Sequence, residues 1–541
     1  MKKFLLISIC LILNLNVFAG EKKQKLTSQE SEVFKAMQTE MNRNLTDLKM
    51  DKFARPYYIA YKIIPETRYL FNASQGVLMQ DKKTYNPDYE VQVRVGSPKE
   101  DNSYFDPTVW LPKETNNFFA LNYEGVSKFL WQTTDIVYKN SLAELTEKQA
   151  YKKNKHIAQQ YDDFSFYPPQ EHFDTITEPV IDQKYWQEVA KKTSAKGALP
   201  EFEDFMTAIN INFAPSYFLT SRGSKYLQDK YSINITFTAQ GRLEDGFEFN
   251  LNKSLTYVDF KDVPSLQELE KEAEVFAKEV LALQKAKKVD SYIGPVLLQG
   301  AQAAKLMKVL SREISFTKHI ASNNDYSYYD GVFADKLGLK IFSSGFDVID
   351  DPLRKTFDKQ KLAGYYEIDE EGVKAEKIQV IENGFLKDLP FTASLTKNNS
   401  KSNGHARSYY GYTTVVARPS NLILLPHKTI AQEDFLNTFK KFCLEQGLKA
   451  CPIITATDGE IFYGFMVDAK TGAKTPVYGE NPAFNTRSLR DIKYASNQMQ
   501  VYNEMNRGGG FSIITPDLIL DNGEINQSKK QPARKPLVKR P

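Results

Sequence analysis

One stretch of the sequence, from Gly294 to Gly384, limits the possible folds more than any other. It begins with an apolar run that ends at Leu298, followed by Gly300 and by helical spacing from Ala301 to about Ser315. The loops that follow are rich in acidic residues: Asp350, Asp351, Asp369, Glu370 and Glu371. A strand that leads into a helix and then into acidic loops is a common way to build a metal- or water-activating site.

The rest of the chain alternates between strand and helix patterns, which predicts an α+β fold with two domains. Its 541 residues would suffice for three to four domains of average size or for two large ones. A charged helical pattern, Ser265–Lys288, separates the halves, and we place the boundary at Val289 and Asp290. We expect residues 24–289 to form an antiparallel sheet with helices, and residues 290–525 to form a strand-rich domain.

Several local patterns give more specific expectations. Three neighbouring strands are predicted near the start of the first domain: Pro56–Ile64, Tyr69–Met79 and Tyr89–Val95. In the third strand valines alternate with polar residues such as Arg94, so we expect one face of the sheet to be wet. Phe247–Asp259 is predicted to be a strand pair. Helical spacing over Leu121–Lys155 puts Trp131 on one side with Tyr138, Leu142 and Leu145, and spacing over Thr429–Leu448 puts Leu444 on one face with Phe435 and Phe439.

The two ends of the chain have distinct compositions. Residues 1–19 combine Lys2 and Lys3 with a short apolar run and a small-residue exit at Ala19, the pattern of a secretory signal. No stretch is long and apolar enough to span a membrane comfortably, so we expect an exported, periplasmic or secreted protein. Residues 526–541 are basic and predict a disordered tail. Nucleic acid is not an expected partner, because export removes it.

The exported part of the chain has two cysteines, Cys443 and Cys451, eight residues apart. In an oxidising compartment they could form a local disulfide. Two buried free thiols fit the sequence equally well, because Gly447 between them permits a turn without requiring one. Neither cysteine has a histidine nearby in the sequence that would indicate a metal site.

The order of the segments resembles the TldD/PmbA family, two-domain proteins that include peptidases. The matching segments are Gly294–Leu298, Lys305–Ser315, Asp350-Asp351-Pro352, Asp369–Gly372, Ile381–Lys387 and Asn403–Ser408. Each is weak alone, whereas their order and spacing are specific through about Leu425. In the first half, Pro56–Val95, together with Arg94-Val95-Gly96 and Asp101-Asn102, resembles a secreted branch of the family. The resemblance implies a two-domain TldD/PmbA-like α+β fold.

In the family's active members, a His-Glu-x-x-x-His helix and a later cysteine are similar to a three-ligand zinc site with the glutamate as base. The corresponding helix here, Val309–Phe316, contains no histidine. Glu313 remains as a weak catalytic candidate, but Arg312 beside it would oppose a divalent cation. The late cysteine is also missing around Arg507–Ser512. The sequence therefore predicts no bound metal and no cofactor.

Other residues could replace the missing histidine and cysteine side chains. His405 is the better catalytic candidate among the five histidines, although a loop histidine with one hydrogen bond is more common, and His319 is expected to be a surface or capping residue. We assign substrate binding to Asn403, His405, Arg407 and Tyr409, with Arg407 gripping a peptide carboxylate or backbone. An ordinary strand-end cluster explains them equally well. The acidic residues could hold a hard cation, but an exposed turn is the favoured interpretation of Glu370-Glu371-Gly372. Asn383-Gly384 is predicted to be a hairpin turn.

Three functions fit these observations. The first is a metal-free subunit that resembles the family's non-catalytic partner, binds a peptide or unfolded protein and supports proteolysis with another chain. That chain would be a histidine-motif TldD-like subunit or a second copy. The second function is an active peptidase, a hydrolase by resemblance, whose catalytic groups are not recognised. The third is an envelope scaffold or peptide-binding module that acts alone. We favour the first.

Overall fold

The computed structural model describes residues 26–50, 52–105, 120–289, 291–316, 331–408, 415–482, 484–506 and 509–526. The predicted signal at 1–19, His319, Tyr409 and the tail from residue 527 lie outside these ranges. The helices in the described ranges are α1 (Ser28–Asp47), α2 (Tyr123–Lys155), α3 (Gln183–Ala195), α4 (Leu266–Leu283), α5 (Ala301–Glu313) and α6 (Gln432–Glu445).

The strands of the first half are β1 (Tyr58–Ser74), β2 (Val77–Arg94), β3 (Glu171–Phe173), β4 (Phe202–Phe213), β5 (Ser216–Thr220), β6 (Lys225–Gln228), β7 (Tyr231–Arg242) and β8 (Glu248–Tyr257). The next strands are β9 (Lys287–Lys288), β10 (Tyr292–Leu298), β11 (Phe346–Asp350), β12 (Thr356–Phe357), β13 (Gln360–Lys361), β14 (Ile378–Glu382), β15 (Phe385–Leu386), β16 (Ala406–Ser408) and β17 (Val415–Ala417). The last are β18 (Asn421–Pro426), β19 (Ala450–Asp458), β20 (Ile461–Asp468), β21 (Lys474–Glu480), β22 (Ile492–Ala495), β23 (Gln500–Asn506), β24 (Gly509–Thr515) and β25 (Leu518–Ile525).

The predicted trio of strands at the start of the first half is instead one long hairpin of β1 and β2. Its turn is at Gln75 and Gly76, which have φ of 48° and 87°, so the apparent break in the second predicted strand is the hairpin turn. β1 passes through Pro65 without interruption because β5 pairs with residues 60–63 and β4 with residues 67–74. Pro65 lies between these partners, where its missing N–H costs no ladder bond on that side.

The first-half sheet runs β3-β6-β5-β1-β4-β7-β8, with β2 paired to β1. Helices cover one face: α1 and α2 pack on β1, β2 and β5, and α3 and α4 pack on β4, β7 and β8. The expectation of a wet opposite face is wrong where Tyr58, Lys62 and Arg94 are buried, because the second half of the chain covers them. The predicted pair at Phe247–Asp259 is the single strand β8.

On the two predicted helix faces, Tyr138, Phe435 and Phe439 are buried, but Trp131 and Leu444 are not. Trp131 is 50% exposed, because the buried side of α2 is formed by residues such as Phe129, Leu130 and Tyr138. Leu444 is 43% exposed, since α6 turns Phe435, Phe439 and Phe442 towards the sheet instead. A helical repeat predicts that a helix has a buried side, but the tertiary contacts decide exactly where it lies.

The second half contains a seven-stranded sheet, β22-β25-β10-β19-β20-β21-β9, and a six-stranded sheet, β15-β14-β11-β18-β24-β23. Helix α5 follows β10, and its apolar side chains lie in one core with residues of both sheets. The Asn383-Gly384 hairpin turn is confirmed, since these residues have φ of 47° and 86° and connect β14 to β15. The α+β prediction is confirmed.

The two halves also share apolar contacts. Ile461, Tyr463 and Tyr478 from the seven-stranded sheet pack in the same cluster as Phe247 and the other core residues under α4. Strand β9 pairs with β21 in parallel, so the link after α4 is already part of the seven-stranded sheet. The boundary at Val289 and Asp290 stays a prediction.

Candidate functional site

The end of helix α5 is the first part of the candidate site. The helix begins after Gly300, whose φ of 58° suits glycine and whose N–H donates to Oδ1 of Asp517 at 2.8 Å. It ends at Glu313, a buried residue. Burial of the apolar face around Leu306 and Leu310 fixes the rotation of the helix, and therefore the direction of Glu313.

Both carboxylate oxygens of Glu313 have donors of the chain itself. Nε and Nη2 of Arg312 donate to Oε1 at 2.9 and 2.8 Å, and the N–H of Val332 donates to Oε2 at 3.1 Å. The backbone of Gly331 lies directly on the carbonyl of Glu313, where a Cβ would overlap it. Glu313 is thus tied to its neighbours and is not presented as an open base.

An isolated β-bridge and two short strands connect this helix end to the second part of the site. Phe316 and Ala417 of β17 exchange backbone hydrogen bonds of 3.2 and 3.0 Å. Ala417 in turn pairs with Ala406 of β16. The structure therefore brings Glu313 and the segment 403–408 into one neighbourhood, as their assignment to one site requires.

His405 and Asn403 lie inside a buried polar network. Nε2 of His405 lies 3.0 Å from Oδ2 of Asp350, an ion-pair distance that lacks hydrogen-bond alignment, and Nδ1 lies 2.8 Å from Oδ1 of Asn403. Asp350 also accepts the Ser420 N–H at 3.0 Å, and Asn403 Oδ1 accepts the Phe391 N–H at 2.7 Å. His405 lies in a loop as expected, but it is fully buried and its Nδ1 contacts two oxygens of Asn403 instead of making one hydrogen bond. These contacts hold the backbone of the segment 403–408 in place.

The acidic turn, Asp369 to Glu371, is the largest departure from expectation. All three side chains are buried, so the exposed-turn interpretation is wrong. Asp369 accepts the N–H groups of Glu371, Val373 and Ala406 at 2.9, 2.8 and 3.0 Å and so holds the turn together. Burial, and next the charge of Glu371, raise the pKa of Asp369 to about 8.

Glu370 pairs with a lysine from the other half of the chain. Lys62 Nζ of β1 lies 3.1 Å from Glu370 and 3.3 Å from Glu90 of β2. The N–H of Ser408 donates to Oε2 of Glu370 at 2.7 Å. Burial alone would raise the pKa of Glu370, but the charges of Lys62, Arg407 and Lys230 outweigh it and lower that pKa to about 2. Glu370 is therefore a carboxylate at neutral pH.

Glu371 pairs with an arginine from the other half. Arg94 of β2 lies 3.3 Å from Glu371 and 3.0 Å from Asp101. Its guanidinium stacks over the ring of Phe164 at 4.1 Å, and the Ala393 N–H donates to Glu371 at 2.6 Å. Arg94 is 1% exposed, so this pair is removed from water. The face that we expected to be wet is therefore the joint between the halves.

The acidic residues do not converge on one point. Each carboxylate is turned towards its own donor: Asp350 towards Ser420, Glu370 towards Lys62 and Glu371 towards Arg94. Within the described ranges, no three His, Cys, Asp or Glu side chains are arranged to hold a metal ion. The hard-cation alternative does not fit this geometry.

Arg407 is buried beside the network. Its guanidinium stacks on Tyr366 at 4.4 Å, and Nη2 donates to the carbonyl of Gly510 at 3.1 Å. A Cβ at Gly509 would overlap the guanidinium, so the approach of β24 depends on glycine there. Four residues were assigned to substrate binding. Asn403, His405 and Arg407 are buried at alternate positions of the segment 403–408, and Tyr409 is outside the described ranges.

Sequence reasoning missed the roles of Lys62, Arg94 and Lys230. Arg94 stood out as a polar position opposite Val93 and, with Asp101, in the resemblance to a secreted branch of the family, but its partner Glu371 is 277 residues away in sequence. Period-two alternation shows that Arg94 shares a face with the polar residue Gln92. It cannot show that a second set of residues covers that face.

The two cysteines form a disulfide, one of the two states that the sequence left open. Cys443 is in α6, Cys451 is in β19, and Gly447 between them has a φ of 72°. The bridge fastens the helix to the sheet beside Phe439 and Ile453. It lies in a different cluster from the acidic turn.

Residues 294–465 match the model of the PmbA/TldA metallopeptidase C-terminal domain. This range therefore resembles the C-terminal domain of the TldD/PmbA family. The matched range includes α5, the acidic turn and the segment 403–408, so both parts of the candidate site lie within it.

Known relatives agree with this assignment. The chain is 38% identical over 98 residues to a metalloprotease of Methanothermobacter thermautotrophicus, which is 18% of this chain and 20% of that relative. It thus spans about a fifth of the length of this curated relative. The match supports relatedness to metallopeptidases, while the activity of the whole protein is a separate question.

Solved structures share the fold over most of the chain. A proposed modulator of DNA gyrase from Thermotoga maritima has a TM-score of 0.58 at 14% identity and covers 86% of this chain and 96% of its own. One from Bacteroides thetaiotaomicron has a TM-score of 0.57 at 13% identity, with 92% and 99% covered. TldE from Thermococcus kodakarensis has a TM-score of 0.56 at 13% identity, with 91% and 100% covered.

The zinc of the family's active members does not fit the residues present here. Helix α5 offers no imidazole, and the Glu313 carboxylate is already held by Arg312 and Val332. A divalent cation placed there would meet the positive guanidinium. The helices of the described ranges include none that is both long and apolar enough to cross a bilayer.

Proposed function

We propose that this chain is an exported, metal-free member of the TldD/PmbA family that binds peptide or unfolded protein and supports proteolysis by a second chain. The observation that carries the proposal is the end of α5, where an Arg312–Glu313 pair stands in the segment that resembles the zinc-binding helix of the family. A helix end closed by its own ion pair cannot supply the three ligands and the open position that a catalytic zinc requires.

Two further observations support the parts of this proposal. The similarity to TldE extends over 91% of this chain, which supports a subunit of the non-catalytic kind that works with a histidine-motif chain. The Cys443–Cys451 disulfide supports export, because disulfides persist mainly in oxidising compartments. The amino-terminal segment, with its lysines followed by an apolar run, supports the same conclusion.

Two measurements on the purified full chain test the proposal. The first is fluorescence anisotropy with a labelled, unstructured peptide of about ten residues, and we expect saturable binding. The second is peptide hydrolysis by the chain alone and with a histidine-motif family member, where we expect cleavage only in the mixture. Hydrolysis by the chain alone would favour the active peptidase instead, and absence of peptide binding would contradict the proposal.

A further inference from the structure

One histidine lies between the two halves of the chain with a carboxylate at each of its ring nitrogens. His172 is in β3, at one end of the first-half sheet. Its Nε2 lies 3.0 Å from Oδ1 of Asp174, and its Nδ1 lies 3.1 Å from Oε2 of Glu367, which belongs to the second half. The side chain of His172 is 23% exposed, so protons from solvent reach it.

Other contacts turn one oxygen of each carboxylate towards the imidazole. Oδ2 of Asp174 accepts the N–H of Asp229 at 3.0 Å. Oε1 of Glu367 accepts the hydroxyl of Tyr365 at 2.6 Å. In both acidic residues the second oxygen is the one that faces His172. Each half of the chain thus fixes its own carboxylate, and the imidazole connects the two.

The protonation state of the ring decides whether both contacts are attractive. A carboxylate only accepts hydrogen bonds, and a neutral imidazole carries a single N–H. A neutral His172 would therefore turn a nitrogen lone pair towards one of the two carboxylates. The imidazolium carries a proton on both nitrogens and a positive charge, so it attracts both carboxylates. The arrangement consequently favours the charged ring.

In the part of the chain that the structure describes, the further charged side chains around this contact are Glu171, Lys225, Asp229 and Lys355. Glu171 and Lys225 pair with each other at 2.8 Å across β3 and β6. Lys355 Nζ lies 3.6 Å from Oε1 of Glu367 and opposes protonation of the ring, but it is 66% exposed and water screens its charge. Burial is the main cause that raises the pKa of Asp229 to about 7, and its anion beside Asp174 would favour the imidazolium.

The contact between the halves should weaken as the pH rises. The hydrogen bond with Asp174, together with the charges of Asp174 and Glu367, raises the pKa of His172 above its ordinary 6.5, against burial and the charge of Lys355. The imidazolium contributes its full stabilisation below pH 6.5, and this is lost as the pH rises through the raised pKa. We propose that His172 links the two halves in a pH-dependent way: the protonated ring holds Glu367 of the second half to Asp174 of the first, and the neutral ring releases Glu367. This inference concerns the joint between the halves and stands apart from the proposed function.

Nuclear magnetic resonance of the full chain with ¹³C-labelled histidine measures the titration of His172, and the signal that is lost in His172→Gln assigns it. We expect a midpoint above pH 6.5 in the wild type. Glu367→Gln should lower this midpoint by about one pH unit, because an opposite charge beside the ring is removed. Glu376→Gln is the matched control, since Glu376 in the second half pairs with Lys401 at 3.5 Å, and it should leave the midpoint unchanged. A wild-type midpoint at or below pH 6.5, or one that Glu367→Gln does not move, would overturn the proposal.

A double-mutant cycle measures the strength of the link. Urea denaturation of the wild type, His172→Gln, Glu367→Gln and the double variant gives the coupling between the two side chains. We expect this coupling to change the unfolding equilibrium constant about fivefold at pH 6 and to vanish at pH 9. Asp229 is present in all four chains, so its own titration cancels. The same cycle with Glu376→Gln in place of Glu367→Gln should show no coupling at either pH. A coupling between His172 and Glu367 that is as large at pH 9 as at pH 6 would contradict a link that depends on the proton.

Discussion

The acidic turn and the end of α5 both bury glutamate side chains. The cations that pair with them differ in how far away they lie along the sequence. At α5, Glu313 is paired with the adjacent residue Arg312, which is largely exposed. At the turn, Glu370 and Glu371 are paired with Lys62 and Arg94, which come from the other half of the chain and are almost wholly buried. The first pair closes a helix end, whereas the second set joins two halves.

Because of this difference, the two regions should contribute differently to the free energy of unfolding. Removing one member of a buried pair leaves a charge without water or partner, which is expensive. Removing one member of a partly exposed pair lets water replace it. The turn should therefore dominate stability, and the α5 pair should matter chiefly by denying a metal its ligand. Substitutions in each region test this contrast through the free energy of unfolding.

The largest effect is expected from Arg94→Met, which leaves Asp101 and Glu371 unpaired in the joint. We expect the free energy of unfolding to fall by roughly 3–5 kcal/mol, measured by urea denaturation. The control is Arg68→Met, because Arg68 on the same sheet is 37% exposed in its pair with Glu66 and should cost at most about 1 kcal/mol. Equal losses in the two variants would remove the contrast between buried and exposed pairs.

The second prediction uses pH to isolate Glu370. Its pKa is lowered to about 2 from the ordinary 4.5, so its carboxylate stabilises the fold above pH 4.5 and loses this contribution as the pH falls towards 2. Glu370→Gln should cost roughly 2–4 kcal/mol at pH 7, and its deficit relative to wild type should shrink from about pH 4.5 downwards. Urea denaturation at pH 7, 5, 4 and 3 measures this. Glu382→Gln, at an exposed pair with Lys387, should show no such trend. A deficit for Glu370→Gln that is the same at pH 5 and pH 3 would contradict the assigned pair.

The smallest effect is expected at the end of α5. Arg312→Gln should lower the free energy of unfolding by about 1 kcal/mol or less, because the arginine is 57% exposed. Lys308→Gln on the same helix, where the lysine pairs with Glu504, is the matched control and should behave alike. The measurement is again urea denaturation. A loss for Arg312→Gln as large as that for Arg94→Met would mean that the α5 pair is also a structural joint.

The sequence predicted those features that depend on nearby residues. Helix α5, the hairpin turn at Asn383 and Gly384, and the absence of a histidine beside Glu313 need only local spacing or residue identity. The acidic turn needs more, because Glu371 acquires its role from Arg94, 277 residues away. Acidic residues in a turn usually lie in water, and only the second half folding onto β1 and β2 reverses that expectation.

The same reasoning explains the other errors. Trp131 has helical spacing that fits a buried side, but the contacts of α1 and β2 with α2 select a different side. The predicted strand Pro56–Ile64 and the first part of Tyr69–Met79 lie in the single strand β1, which continues past Pro65 because that residue falls between two of its partners; the last part of Tyr69–Met79 lies in β2. The candidates Asn403, His405 and Arg407 were found by family resemblance, while Lys230 had no local signal that could single it out.

We propose that the Arg312–Glu313 pair at the end of α5 stands in place of metal ligands. The most direct test of this proposal is the zinc content of the purified chain, measured by elemental mass spectrometry after incubation with zinc and dialysis, together with peptide cleavage before and after chelation. We expect far less than one zinc per chain and no cleavage that chelation removes. One tightly held zinc per chain, lost together with peptide cleavage when a chelator is added, would contradict it.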